Sequence, residues 1–270
     1  MNALRRLFRR IHRRKAIDLS AIKFNEQSET LEVKLAVVGM SQVGKSSLVW
    51  SCGNRAPWTE ISPLDDNTLP NITTTTTHGN LSMVPWVSHP YIGESRTLAF
   101  FQPGIVVFPF AIDNSDSLEV IEEQLAFKIA HFCPGAPIIL VGCKSDLRSQ
   151  KESRPLVETQ TAIGVAERLG AWVYTECSSR HYIGIEQLVE YLGTIAWKLY
   201  EHSKSGRSQP LSHKTTIILT EETKKPDHRE FVDAFTRKSS SFRAKLKVAG
   251  RRSVPNLRGG GVGTPNPGSA

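Results

Sequence analysis

Apolar positions along the chain fall into two rhythms. Compact runs at Val33 to Val38, Ile105 to Ile112 and Ile138 to Val141 carry β-branched residues with little polar interruption, the mark of strands covered on both faces. Trp172 to Thr175 reads as a further strand. Ile72 to His78 and Asn80 to Trp86 read as a hairpin whose threonine run, Thr73 to Thr77, suits an exposed strand. Between these runs the spacing becomes helical: Lys45 to Ser51, Ser117 to Phe132 with Leu118, Ile121, Leu125 and Ile129 on one stripe, Thr161 to Leu169, and Gly184 to Tyr200. Strands alternating with helices predict an α/β fold built on a mostly parallel sheet.

Composition alters this picture only at the two ends. Residues 1–15 hold a cluster of Arg and Lys without an acid, and from about residue 203 the chain turns rich in Ser, Lys, Arg, Pro and Gly. The expected layout is a basic N-terminal extension over 1–29, one domain over 30–202, and a basic tail over 203–270 with too few apolar residues to order itself. The net charge of +8 gathers at these ends and points to an anionic partner surface, with lipid headgroups ahead of nucleic acid. No stretch approaches the roughly 20 apolar residues of a membrane-spanning helix. The cysteines Cys52, Cys133, Cys143 and Cys177 form no CxxC pair, and a reducing compartment is expected.

The chemistry begins at Gly39-Met40-Ser41-Gln42-Val43-Gly44-Lys45-Ser46, which fits G-x-x-x-x-G-K-[ST] between a predicted strand and a predicted helix. In that context the backbone N–H groups of Ser41, Gln42, Val43, Gly44, Lys45, Ser46 and Ser47 converge on phosphates, aided by the helix N-terminus. Lys45 reaches the phosphate oxygens, and the Ser46 hydroxyl is the expected Mg²⁺ ligand. The base is read elsewhere. Asp146, in Gly142-Cys143-Lys144-Ser145-Asp146 after an apolar strand, can accept from both N1–H and the N2 amine of guanine, a donor pair adenine lacks. The stem of Lys144 would pack across the base, and Glu176-Cys177-Ser178-Ser179 resembles the third base-contacting loop of guanine-binding domains. Cys143, Lys144, Asp146, Cys177, Ser178 and Ser179 are thus the candidate guanine-binding residues, and GTP or GDP is the expected ligand.

Several strings are similar to the Rho family of small GTPases: Phe132-Cys133-Pro134-Gly135, Ile138 to Arg148 and Leu169 to Ser178. Cys143 within GCKSDLR and Ser41-Gln42 within the glycine loop resemble the hydrolysis-deficient Rnd branch. The resemblance covers about residues 33–200 and implies a Ras-like P-loop G domain, a six-stranded sheet flanked by helices. It also implies effector or regulator proteins of Rho signalling as partners, with an output in actin organisation or cell shape.

Two family features are expected to be missing. Leu64 falls where the family places the magnesium-binding Thr of switch I, with Thr68 and Thr73 as possible substitutes. Trp86 is followed by Val87-Ser88-His89-Pro90-Tyr91 where the family has W-D-x-x-G and then a water-positioning Gln, although Arg96 to Phe100 resembles the string that comes next. Gly93 has no Asp three residues before it. Magnesium binding is expected to be weakened and intrinsic hydrolysis negligible. A nucleotide-independent scaffold is the alternative reading, and a nucleotide kinase a distant third.

At the N-terminus, Leu4, Leu7, Phe8 and Ile11 recur at helical spacing among arginines, as in a helix lying in an anionic membrane interface. A mitochondrial presequence has the same look. No cysteine follows Cys177, and no prenyl anchor is expected. Attachment to the cytoplasmic face of the plasma membrane would rest on this segment and the basic run Arg237 to Arg258. A short helix over Asp227 to Lys238 and phosphorylation at Ser239 to Ser241 and Ser253 complete the expectations for the tail.

Overall fold

The structure is a computed structural model that describes residues 19–59, 69–76, 78–88, 94–150, 155–205 and 215–218. The chain divides into compact units Met1–Lys225 and Pro226–Ala270, and every described residue belongs to the first. Leu64, Thr68, His89, Pro90, Tyr91, Gly93, the N-terminal helix and the expectations for the tail beyond residue 218 lie outside the described residues.

Among the described residues eight strands form one sheet: β1 (Ile22–Asn25), β2 (Thr30–Val37), β3 (Ile72–Thr76), β4 (Gly79–Val87), β5 (Ile105–Ala111), β6 (Ile138–Cys143), β7 (Val173–Cys177) and β8 (Thr216–Ile218). Their order is β3-β4-β2-β5-β6-β7-β8, with β1 paired to β2. All neighbours are parallel except β3 with β4 and β1 with β2. The six expected strands form the body of this sheet. β1 and β8 join it from outside residues 30–202. β1 pairs with the first half of β2, Thr30 to Val33, while β5 pairs with its second half, Leu35 to Val37.

Helices cover both faces. α1 (Lys45–Asn54) and the closing helix α5 (Ile185–Lys204) meet on one; α2 (Glu94–Phe101), α3 and α4 (Thr159–Leu169) lie on the other. α3 runs through Ser115–Val120, a π-helical turn at Ile121–Leu125, and Ala126–Phe132. The strand period of two divides β5 cleanly. Val106, Phe108 and Phe110 enter the large cluster beneath α3 and α4 together with Leu140, Tyr174, Ile129 and Ala166. Continuous apolar runs follow because both faces of β5 and β6 are buried.

Pro109 sits inside β5, a central strand, where a missing N–H normally breaks a ladder. β2 departs at this level. The β2–β5 register ends at Val37↔Val107, the last bond is Val38 N–H to Val107 O at 2.9 Å, and the glycine loop occupies the space beside Pro109. The parallel strands thereby deliver their C-terminal ends to one edge of the sheet, as open α/β sheets do at their ligand crevices.

Candidate functional site

The glycine loop connects β2 to α1 along that edge. Lys45, 8% exposed, folds its ammonium back to donate to Gly39 O at 2.9 Å and Met40 O at 2.8 Å, drawing the loop into a closed ring. Gly44 sits at φ 98°, where a side chain is strained, and Gln42 also takes the left-handed conformation. Ser41 and Gln42 are exposed, Val43 is buried beneath them, and Ser46 and Ser47 are half-buried at the start of α1. The helix opens without a side-chain cap. Its first N–H groups are of the kind an anion satisfies.

Gly39 is required for a different reason. A Cβ there would stand 2.6 Å from Pro109 O, a backbone atom that can move only with β5. Gly39→Ala is expected to cost about 1–3 kcal/mol by overpacking, read as a fall in thermal midpoint. Gly44→Ala, facing only Cys143 Cβ at 3.8 Å, is expected to destabilise through its positive φ and not through crowding.

The base-side residues gather at the ends of β5, β6 and β7. Lys144, in the left-handed conformation after β6, ion-pairs with Asp113 just past β5, its ammonium 2.9 and 3.0 Å from the two carboxylate oxygens. This holds the lysine stem along the edge of the sheet. Asp146 lies in a 3₁₀ turn, Ser145–Arg148, with its carboxylate mostly covered and 3.9 Å from the exposed His181 Nε2. Ser178 is buried, and its hydroxyl accepts the His181 N–H at 3.2 Å, shaping the loop after β7. Ser179 O accepts the backbone N–H of Trp58 at 2.8 Å and is approached by Ser51 Oγ at 3.4 Å. The segment after α1 is thus tied to the third loop.

Cys143 and Cys177 stand opposite each other across β6 and β7 and are buried together with Cys52 of α1. Burial, then the neighbouring Cys143, pushes the Cys52 thiol up to about 12. A hydrogen bond with Cys143, then burial, raises the Cys177 thiol as well. The three side chains are packing groups, and what Cys143 and Cys177 can present at the sheet edge is their main chain.

Beneath the base-side loops lies a buried carboxylate. Glu176, 5% exposed, accepts from Arg148 Nε at 2.6 Å and Nη2 at 2.8 Å, from Tyr174 OH at 2.5 Å and from Thr159 Oγ1 at 3.2 Å. Arg148 also donates to Val157 O at 2.9 Å. Burial lowers the pKa of Arg148, and the hydrogen bond and charge of Glu176 more than reverse this. For Tyr174, burial followed by the Glu176 charge raises the phenol well above its ordinary value. The network bolts the 3₁₀ turn carrying Asp146 to β7. Gly142 makes room for it, since a Cβ there would meet Glu176 Cγ at 3.2 Å.

All the phosphate-side and base-side candidates therefore border one edge of the sheet. Asp113 and Trp58 join the site only in the structure, as do the contacts of Ser88 and of the Glu176–Arg148 pair. Asp113, an acid ending an apolar strand, carried a signal. Trp58 and Ser88 carried none, since their partners are distant in sequence.

The metal position is less fully furnished. Ser46 is the candidate hydroxyl at the loop exit, whereas Val87, which ends β4 beside Val37, is apolar and 8% exposed. Among the described residues no group of three His, Cys, Asp or Glu side chains is placed to hold a metal ion.

Comparison with known proteins agrees with this geometry. The Ras family profile matches residues 93–196. The chain is 27% identical over 205 residues to GTP-binding protein rho1 of Schizosaccharomyces pombe, covering 72% of this chain and 95% of that one. Against GTP-binding protein RHO1 of Saccharomyces cerevisiae it is 31% identical over 167 residues, covering 58% and 79% respectively. Against GTP-binding protein RHO1 of Candida albicans it is 31% identical over 171 residues, covering 59% and 85%. A Ras-like sheet with a glycine loop at its C-terminal edge, and relatives matched over most of their length, together place this chain in the Rho family of small GTP-binding proteins.

Proposed function

We propose that this chain is a guanine-nucleotide-binding signalling protein of the Rnd type, which holds GTP or GDP without appreciable hydrolysis and acts by presenting its surface to effectors or regulators. The observation that carries the nucleotide reading is the convergence of Lys45 and Asp146 on one sheet edge, with each side chain or its loop held by further contacts. Gly39, Ser41, Gln42, Val43, Gly44, Lys45, Ser46 and Ser47 take the phosphates; Cys143, Lys144, Asp146, Cys177, Ser178 and Ser179 surround the guanine. Ser46 is the protein's own Mg²⁺ ligand, and bound metal would supply charge neutralisation at the phosphates. Val87 offers no carboxylate to order metal-bound water, which makes the nucleotide's dependence on magnesium weak.

Hydrolysis by small GTPases depends on a residue that orients the attacking water. The stretch Val87 to Tyr91 that follows Trp86 holds no glutamine to fill that role. The expected result is single-turnover conversion of labelled GTP far below that of an ordinary Rho protein, and conversion at the ordinary rate would refute the Rnd assignment. Identifying the nucleotide released on denaturing purified protein tests the binding itself; an empty protein that refuses GDP and GTP at every magnesium concentration leaves the scaffold reading.

Partner binding is supported by α2, where Phe100 is 86% exposed beside Phe101, which packs on Trp86. The basic segments on either side of the domain supply attachment to an anionic membrane, at the cytoplasmic face of the plasma membrane in this reading, with actin organisation or cell shape as output. Residues 30–202 are assigned as the body of the domain, with 1–29 and 203–270 as extensions from which β1 and β8 join its sheet.

A further inference from the structure

Ser88 is the residue that follows β4. It is 2% exposed, and its N–H donates to Val37 O at 2.9 Å, extending the β2–β4 ladder one step beyond the registered pair Val37↔Val87. In a continued parallel ladder a residue that donates to one strand neighbour receives the N–H two positions further on at its own carbonyl. Here that N–H belongs to Gly39, the first residue of the glycine loop. It is directed instead at the Ser88 hydroxyl, 3.3 Å away, which also lies 3.5 Å from Gly39 O. A side chain has taken over the last rung.

From this we infer that Ser88 is a positioning residue for the phosphate loop, and the inference rests on the nucleotide-binding reading above. With the hydroxyl standing in for the carbonyl, the root of the loop stays attached to the sheet. Gly39 is then fixed from three sides: by Ser88, by Lys45 Nζ on its carbonyl at 2.9 Å, and by the wall of Pro109 O. What is fixed is the base of the cradle for phosphates that GDP and GTP share. Ser88 therefore sets affinity for both nucleotides alike and contributes nothing to telling them apart.

The test compares Ser88→Thr with Ser88→Val in the full chain, a pair matched in shape and differing in the hydroxyl. Two readouts are taken: amide exchange of Gly39 without nucleotide, and Kd for GDP and for a non-hydrolysable GTP analogue by calorimetry. The valine variant is expected to lose about tenfold in Gly39 protection and about tenfold in both affinities by one common factor, while the threonine variant keeps wild-type values. Equal behaviour of the two variants, or a loss confined to one nucleotide, overturns the inference. Should the valine variant fail to fold, wild-type protein still decides: Gly39 must exchange more slowly than the exposed Ser41 and Gln42, and equal rates overturn the inference. A wild-type protein that binds no guanine nucleotide refutes the proposed function, while Gly39 exchange continues to judge Ser88.

Discussion

Replacing Glu176 with alanine lowers the thermal midpoint of the domain by roughly 6–12 °C, the equivalent of about 3 kcal/mol in a domain of this size. One carboxylate receives four hydrogen bonds from three residues, Arg148, Tyr174 and Thr159. Its removal leaves the Tyr174 hydroxyl without an acceptor in a fully buried position, and takes the counter-charge from a guanidinium whose side chain is 29% exposed. That partial exposure is the reason for choosing the lower end of the 3–5 kcal/mol typical of broken buried pairs. Glu176→Gln keeps an acceptor for Tyr174 and should lose about half as much. Calorimetric unfolding of both variants checks the order. A shift below about 2 °C for alanine would mean that the network stabilises nothing beyond what water supplies.

Asp146→Asn is expected to weaken guanine nucleotide binding by at least about 100-fold, because two hydrogen bonds to a charged acceptor are each worth about 1.5–3 kcal/mol. The chemistry makes a sharper statement than simple loss. An amide offers one acceptor and one donor, which clashes with the N2 amine of guanine and matches the C2 carbonyl of xanthine. Competition between GDP and xanthosine diphosphate should reverse its preference in the variant. The fold is expected to survive, since Asp146 lies outside the strands and the His181 imidazole stands 3.9 Å from its carboxylate. A variant that keeps its preference for guanine would remove Asp146 from the base pocket.

The strands from β2 to β7 and the long helices were legible because both signals are local: a β-branched run for a doubly covered strand, and a repeating stripe for a helix. The glycine loop was legible for the same reason. β1 and β8 were not, since Ile22–Asn25 and Thr216–Ile218 are short and acquire their meaning only from β2 and β7. α2 escaped notice because its one buried apolar residue with a described side chain, Leu98, gives no repeating stripe, and Phe100 points outward. At the site, Glu176 was visible as part of a base-loop string, but its bond to Arg148 spans 28 positions. Ser88 and Gly39 are 49 apart. Sequence reading places Cys143 and Cys177 among the guanine-binding residues, and the structure adds that their side chains are buried together with Cys52 of α1.

β8 gives the C-terminal segment a definite point of departure. It pairs in parallel with β7, Ile217 beside Tyr174 and Ile218 beside Thr175, and so it ends one residue short of the level of Glu176. Anything that grips the chain beyond Ile218 and pulls does so through β8, the shortest described strand of the sheet, held to β7 by three registered pairs. Such a seam tears first, acting as a fuse that spares the bolt at Glu176 from traction on the tail.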